Sequence, residues 1–241
     1  MEYEIIGKPS YSCLHCKLQS GESMKIEPGS MVSMDPTIQI EGKMNGGILS
    51  SLGRMFLTGE SFFVSEIVAN RENSDIYLAP RSVGDIEMFE VTPGKDWIVQ
   101  GGGFLACTSE VETNTKFEGL RGFFSGEGLF MIRVSGNGKF WVSSFGAIVE
   151  YELKGDEKFI VDNAHIVAFE SSLDYNVRNA GSGFFSSIKN GEGLVCEFSG
   201  VGKIFFQTRN VGSFSEYLNP FLARASSSQG ESSVLGGIFG G

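Results

Sequence analysis

The sequence has few cysteines, few basic residues and no long hydrophobic run. No segment approaches the roughly 18 consecutive apolar residues that a membrane-spanning helix needs. The first residues, from Met1 to Glu4, lack the basic and apolar regions of a secretory signal. Four cysteines in 241 residues are too few for a disulfide framework and fit a reducing compartment. We therefore expect a cytoplasmic protein with no membrane span.

Positive charge is also scarce. The chain has 19 Lys and Arg residues against 29 Asp and Glu residues, which gives a formal net charge of −10. A negative field disfavours nucleic-acid phosphates and anionic membrane surfaces, because proteins bind both through lysine and arginine. We expect no nucleic-acid partner.

Proline is rare, whereas glycine and phenylalanine are abundant. The chain has 6 prolines, 33 glycines and 21 phenylalanines. Most glycines lie between short apolar runs, where tight turns need a positive φ. Many phenylalanines adjoin valine, isoleucine or another phenylalanine, as is typical of buried strands. This pattern predicts an all-β fold.

Two kinds of segment recur along the chain, a Gly-Glu segment and a strand-turn-strand pattern. Residues 125–144 read SGEGLFMIRVSGNGKFWVSS, residues 190–208 read NGEGLVCEFSGVGKIFFQT, and residues 58–63 hold a shorter version, TGESFF. A strand-turn-strand pattern also begins three times, at Gly21, Gly94 and Gly155. Units that recur with linkers of variable length indicate a repeated supersecondary module. We predict three tandem β-sandwich modules in a pseudo-threefold arrangement.

The repeats suggest boundaries within the chain. We place β-module 1 at residues 1–90, β-module 2 at 91–152 and β-module 3 at 153–222. A short helix is predicted at 214–222, ending near Pro220. The Gly/Ser-rich residues 223–241 are predicted to be a flexible tail, since their composition cannot bury enough surface to order itself. Gly/Ser-rich connectors at 44–54, 118–125 and 180–190 are the natural places for functional loops.

Two glycine turns resemble phosphate-binding loops. Residues 135–139 read SGNGK and residues 199–203 read SGVGK. A phosphate-binding P-loop needs a longer glycine spacing and opens a helix, whereas apolar strand residues follow here. We interpret both segments as β-hairpin turns.

Cys13-Leu14-His15-Cys16 is a possible metal or redox motif. A zinc site needs a second pair of ligands, which neither Cys107 nor Cys196 provides. In a strand, residues three positions apart also point to opposite faces. We expect two incidental thiols, no metal and no cofactor.

Three glutamates recur in the repeat. Glu60, Glu127 and Glu192 each follow a turn glycine. One interpretation is structural, with each carboxylate accepting backbone N–H bonds or pairing with a basic group. The other is a ring of carboxylates that binds cations or a basic partner. We favour the structural interpretation and keep the three glutamates as candidate binding residues.

His165 is the fourth candidate. Together with Asp162 and either Ser143 or Ser144, it would be the base of a catalytic triad. It lies in an apolar run, however, and the chain has no Gly-x-Ser-x-Gly nucleophile elbow. We expect a structural or interface-facing histidine and no enzymatic activity.

Several runs together resemble a known family. They read GDI at 84–86, VQGGGFLA at 99–106, GEGLF at 126–130, VDNAHIVAF at 161–169 and GEGLV at 191–195. In combination, and over about residues 3–222, the chain resembles the prokaryotic relatives of the altered inheritance of mitochondria protein twenty-four family. The resemblance implies modules similar to the tryptophan RNA-binding attenuation protein and a homotrimer in which nine modules close a ring. Lys139 and Lys203 recur, but they give too small a basic surface to imply the RNA role.

These observations lead to one predicted function and one alternative. We predict a non-enzymatic, ring-forming scaffold or binding protein that acts with an unknown protein or small-molecule partner. Open sandwiches expose unpaired strand edges, and circular closure removes them. The alternative is a small-ligand sensor with pockets between modules, lined by the connectors.

Overall fold

The computed structural model describes residues 1–41, 64–114, 131–179 and 194–230. In these ranges the chain forms 19 β-strands, two short 3-10 turns and one α-helix. The predicted all-β class is confirmed. The connectors predicted at 44–54, 118–125 and 180–190 lie outside the described residues.

The strands follow one another as a first strand and three sets of six. Strand β1 spans Glu2–Ile6. The first set is β2 (Cys13–Leu18), β3 (Ser23–Ile26), β4 (Met31–Met34), β5 (Ile38–Glu41), β6 (Ser65–Ala69) and β7 (Ser74–Leu78). The second set is β8 (Ile86–Val91), β9 (Trp97–Gln100), β10 (Phe104–Thr108), β11 (Val111–Asn114), β12 (Met131–Gly136) and β13 (Gly138–Ser143). The third set is β14 (Ile148–Lys154), β15 (Phe159–Asp162), β16 (Ile166–Glu170), β17 (Asp174–Asn179), β18 (Leu194–Ser199) and β19 (Val201–Gln207).

The strands form four antiparallel sheets with a recurring order. Sheet I is β1-β2-β7-β4, sheet II is β5-β6-β3-β10-β13-β8, sheet III is β11-β12-β9-β16-β19-β14 and sheet IV is β15-β18-β17. Each set thus contributes three strands to one sheet and three to the next. The sets meet where β3 pairs with β10 and where β9 pairs with β16. The predicted module boundaries after residues 90 and 152 fall inside β8 and β14.

The glycine turns carry the chain from one sheet to another. Strand β12 lies in sheet III and β13 in sheet II, while β18 lies in sheet IV and β19 in sheet III. The prediction of hairpin turns at 135–139 and 199–203 is therefore wrong. Gly136 has a φ of +104°, and a Cβ at this position would lie 2.4 Å from the carbonyl oxygen of Glu110. The crossing therefore needs glycine because a side chain would meet the backbone of the adjacent turn.

Hydrophobic clusters fill the space between successive sheets. Leu14, Ile76 and Trp141 belong to the cluster between sheets I and II. Phe140 and Phe205 belong to the cluster between sheets II and III. The cluster between sheets III and IV contains Leu153, Phe169 and Phe198. Each fully buried large side chain of this kind contributes about 1.5–3 kcal/mol.

Strand β10 is buried on both faces. Leu105 and Ala106 pack into the cluster between sheets I and II, whereas Phe104 and Cys107 pack into the next cluster. The pairing with β13 contains a bulge between Phe104 and Ala106, which adjusts the faces of these residues. A run of consecutive apolar residues thus occupies a single strand because both of its faces are covered.

Helix α1 spans Val211–Gly230 and is longer than predicted. Pro220 lies inside the helix and removes one backbone hydrogen bond. The helix continues beyond it because residues 222–225 are Leu, Ala and Arg, which are strong helix formers. Phe214 packs against Phe145, with the ring centroids 5.2 Å apart. In the described part of the chain, no helix is long and apolar enough to cross a bilayer.

Candidate functional site

The candidate residues predicted from the sequence divide into two groups. Glu60, Glu127 and Glu192 lie outside the described residues, so their role remains a prediction. His165 is described and ends the 3-10 turn Asn163–His165, which precedes β16.

Both ring nitrogens of His165 have hydrogen-bond partners. Nδ1 lies 2.6 Å from the carbonyl oxygen of Gln207, and Nε2 lies 2.7 Å from the side-chain amide nitrogen of Asn210. A carbonyl can only accept, so Nδ1 donates its proton to Gln207 and Nε2 accepts from Asn210. The imidazole therefore joins the start of β16 to the segment that leads into helix α1.

The other residues of the imagined triad also have local partners. Asp162 Oδ1 accepts the backbone N–H of Ala164 at 2.8 Å and thereby caps the 3-10 turn. Ser143 donates to the carbonyl of Gly103, and Ser144 donates to the carbonyl of Gly146. Each of the three polar side chains thus bonds to the backbone of a turn or loop, which gives it a structural role.

The two cysteines of the Cys13–Cys16 motif point to opposite faces of β2. Cys13 is half-buried on the outer face, and Cys16 is fully buried in the cluster between sheets I and II. Burial raises the pKa of Cys16 to about 12, so its thiol stays protonated at neutral pH. Among the described residues, no three His, Cys, Asp or Glu side chains converge as metal ligands.

A hydrogen bond between two strands of sheet I was not predicted from the sequence. His15 Nε2 lies 2.7 Å from Asp75 Oδ1, and the His15 ring stacks on Tyr77 with centroids 4.3 Å apart. These residues meet because β2 pairs with β7. Their separation in sequence leaves no local signal for the contact.

Within the described ranges, two strand edges lack the neighbouring strand that their counterparts have. Strand β10 pairs with β3 and β16 pairs with β9, but β4 is the edge of sheet I and β15 is the edge of sheet IV. In β4 the bulged residue is Val32, which is 61% exposed, whereas the bulged residues Leu105 and Val167 of β10 and β16 are buried. On β15, Ile160 is 41% exposed, whereas its counterpart Ile98 on β9 is buried. Apolar side chains that are buried where β10 pairs with β3 and β16 pairs with β9 are thus exposed at the equivalent positions of the edge strands β4 and β15.

The opposite edges of the sheets are also unequal. Strand β1 covers the outer edge of β2, but β8 and β14 end their sheets with no such strand in the described chain. A cleft of about 490 Å³ lies at the outer edge of β8, between sheets II and III. Its apolar lining includes Phe89, Trp97 and Phe205, and its charged lining includes Glu90 and Lys203.

A second cleft, of about 470 Å³, lies beside the start of α1. It is lined by His165, Asn210, Phe214 and Tyr217 among others. Since the ring nitrogens of His165 are already bonded, this cleft offers mainly apolar contact. The edge strands and the cleft at β8 are therefore the surfaces best suited to binding.

The sheet order and the shared sheets define an all-β protein in which successive strand sets are joined edge to edge. The chain belongs to the Mitochondrial biogenesis AIM24 family, whose sequence profile matches residues 3–209. The family predicted from the sequence motifs is confirmed.

Two relatives from Streptococcus pyogenes support this placement. The chain is 29% identical over 234 residues to an uncharacterized protein of serotype M6, with 94% of this chain and 93% of the relative covered. The crystal structure of a Streptococcus pyogenes protein is similar with a TM-score of 0.74 and 29% sequence identity. That similarity covers 91% of this chain and 99% of the other.

Proposed function

We propose that this protein is a non-enzymatic scaffold or binding protein built from three tandem β-sandwich modules. In this proposal the modules are the three strand sets, and copies of the chain associate head to tail through β4 and β15 to close a homotrimeric ring. The observation that carries the proposal is the exposure of apolar residues on these two edges at positions that are buried at the internal junctions.

The internal junctions supply a register for the proposed contact. Ala106 and Ala168 each follow the bulge of their strand and pair with Ile26 and Val99. Ser33 is the residue that follows the bulge in β4. Val161 stands two residues before a 3-10 turn, as Val99 does. The same pairing therefore places Ser33 of one copy opposite Val161 of another, and Met34 opposite Ile160.

The two edges differ from each other, so the proposed contact is head to tail. A head-to-tail contact produces either a closed ring or an open filament, and closure leaves no unpaired edge at β4 or β15. The resemblance of the family to the ring-forming attenuation protein favours closure with three copies.

Light scattering tests the assembly. A trimer of the 26.1 kDa chain has a mass of about 78 kDa. The variant Val32→Lys places a charge on the proposed interface, and we expect it to be a monomer at micromolar concentration. Val201→Lys is the matched control because Val201 is 65% exposed and begins β19, which is not a strand of the proposed contact. A wild-type monomer, or equal masses for both variants, would contradict the proposal.

The alternative function, a small-ligand sensor, is supported by the cleft between β8 and β14. This cleft lies between two strand sets, as pockets between modules were predicted to do, although the connectors expected to line it are outside the described residues. Thermal-shift screening tests this function. A ligand at 100 times its dissociation constant should stabilise the protein by about 2.7 kcal/mol.

A further inference from the structure

Strand β1 shows how an added strand covers the groove between two strand sets. It pairs antiparallel with β2, with Tyr3 opposite Cys16. Its residues Tyr3 and Ile5, together with Met1 just before the strand, pack on the cluster between sheets I and II. Among the described residues, no strand of the second or third set is a counterpart of β1.

Tyr3 makes two contacts across this groove. Its ring meets Trp141 edge-on, with centroids 5.3 Å apart. Lys139 Nζ lies over the Tyr3 ring, 5.3 Å from its centroid, in a cation–π contact. One aromatic residue of the added strand thus packs against an aromatic and a lysine of β13.

The next groove repeats these features, but no added strand covers it in the part of the chain that the structure describes. Strand β8 takes the place of β2, and β19 takes the place of β13. Trp141 pairs with Ala106 after the bulge of β10, and Phe205 pairs with Ala168 after the bulge of β16. Phe205 is therefore the counterpart of Trp141, and Lys203 is the counterpart of Lys139. Both line the cleft at the outer edge of β8.

The strand that borders this groove carries a negative side chain where β2 carries a positive one. Glu2 of β1 lies opposite Lys17 of β2. The position of Lys17 is occupied in β8 by Glu90, since Glu90 pairs with Lys139 as Lys17 pairs with Asp75. The cleft also contains three more glutamates, Glu87, Glu150 and Glu170.

Two lysines offset only part of the negative charge of this lining. Lys8 Nζ pairs with Glu87 and Lys203 Nζ with Glu150, whereas Glu90 and Glu170 form no ion pair with a described residue. Lys203 Nζ lies 2.7 Å from a carboxylate oxygen of Glu150. Its neighbours Glu150, Glu152 and Glu170 help to raise its pKa, with the hydrogen bond to Glu150 as the main cause. A basic occupant is therefore favoured over an acidic one.

We propose that the outer edge of β8 binds an extended basic segment of a partner protein as an additional antiparallel strand. Main-chain hydrogen bonds to β8 supply the pairing, as in other cases of β-strand addition. The carbonyl oxygen of Glu90 already accepts the indole N–H of Trp97 at 3.0 Å and offers the added strand its second lone pair. By the register of β1, an aromatic residue of the partner packs against Phe205 and the stem of Lys203, and the preceding lysine or arginine lies opposite Glu90. This goes beyond the proposed function and does not depend on ring closure.

A designed peptide tests the site on the full chain. The fluorescent hexapeptide Met-Lys-Tyr-Val-Ile-Lys follows the pattern of β1 but carries a basic residue opposite Glu90. We expect it to bind at least about tenfold more tightly than the acidic peptide Met-Glu-Tyr-Val-Ile-Glu in fluorescence anisotropy. A basic peptide with N-methylated backbone amides on its pairing edge should lose about tenfold or more in affinity, because it cannot form the strand ladder.

Two charge-reversal variants distinguish binding at the edge of β8 from non-specific attraction of a basic peptide to an acidic protein. Glu90→Lys should weaken binding of the basic peptide at least about tenfold and favour the acidic one. Glu72→Lys makes the same change of charge at an exposed turn and should alter affinity less than about threefold. The variant Val32→Lys should bind the basic peptide as the wild type does, so that failure of ring assembly and failure of this site are distinguishable.

Several results would overturn the proposal. No binding of the basic peptide up to about 1 mM would exclude a specific strand site. Equal effects of Glu90→Lys and Glu72→Lys would indicate non-specific attraction to an acidic surface. Equal binding of the N-methylated peptide would exclude strand pairing. If the peptide binds only after residues 231–241 are deleted, the groove belongs to the chain's own C-terminal segment and not to a partner.

Discussion

The glycine at the sheet crossing allows a direct test of the close approach between Gly136 and Glu110. We compare Gly136→Ala with Gly94→Ala. Both residues have positive φ, +104° and +84°, so alanine at either position costs about 1–2 kcal/mol in backbone strain. At Gly94 an added Cβ meets no atom within 4 Å. At Gly136 the same Cβ would lie 2.4 Å from the carbonyl oxygen of Glu110, which is main chain and must shift.

The steric conflict adds to the strain at Gly136 only. Forcing extra volume into a packed site costs about 1–3 kcal/mol. We therefore expect Gly136→Ala to lower the free energy of unfolding by about 2–5 kcal/mol and Gly94→Ala by about 1–2 kcal/mol.

Urea unfolding followed by tryptophan fluorescence measures both losses. Trp141 and Trp97 report on the clusters on either side of sheet II, because each is buried in one of them. The slope of the free energy with urea should be unchanged, since the variants bury the same surface. Equal losses at Gly136 and Gly94 would refute the close approach of Gly136 to the carbonyl of Glu110.

Three further predictions concern stability and reactivity. His165→Ala should lower the free energy of unfolding by about 1–3 kcal/mol, because Asn210 and a backbone carbonyl lose their partner; an unchanged urea midpoint would contradict this. Thiol titration at pH 8 should label Cys13 first, since burial raises the pKa of Cys16 to about 12, and all four thiols should react in denaturant. Burial raises the pKa of Glu27, so ionisation of its carboxyl opposes folding. The wild type should therefore lose stability as the pH rises through the folded-state pKa. Urea unfolding at several pH values should show that Glu27→Gln removes this loss.

The repeats were predictable because they are local patterns. Glycines followed by alternating apolar residues mark the ends and faces of strands, so the all-β class could be predicted from the sequence. The sequence did not predict that successive strand sets share sheets. Whether Gly136 and Gly200 turn a chain back along its neighbour or across to another sheet depends on pairing between distant strands. A glycine turn between two apolar runs is compatible with either.

The candidate binding surfaces were less predictable than the fold. Lys139 and Lys203 were recognised as a repeated pair, but their different surroundings depend on β1, which has no repeat in the sequence. The contact of His15 with Asp75 is likewise absent from any local pattern, because 60 positions separate the two residues. The hydrogen bond between His165 and Asn210 could not be predicted either, because Asn210 lies in a segment that carries no repeat.

Sheets II and III each take strands from two successive sets, which affects how the chain can be divided. Cutting between β7 and β8 would leave β3 without β10 and would uncover Leu105 and Ala106 on the other fragment. Each fragment would then carry an apolar strand edge of the kind that promotes aggregation. We therefore expect the three sets to be expressed and to unfold as one cooperative body, so that no single set serves as an independent domain in fusion proteins.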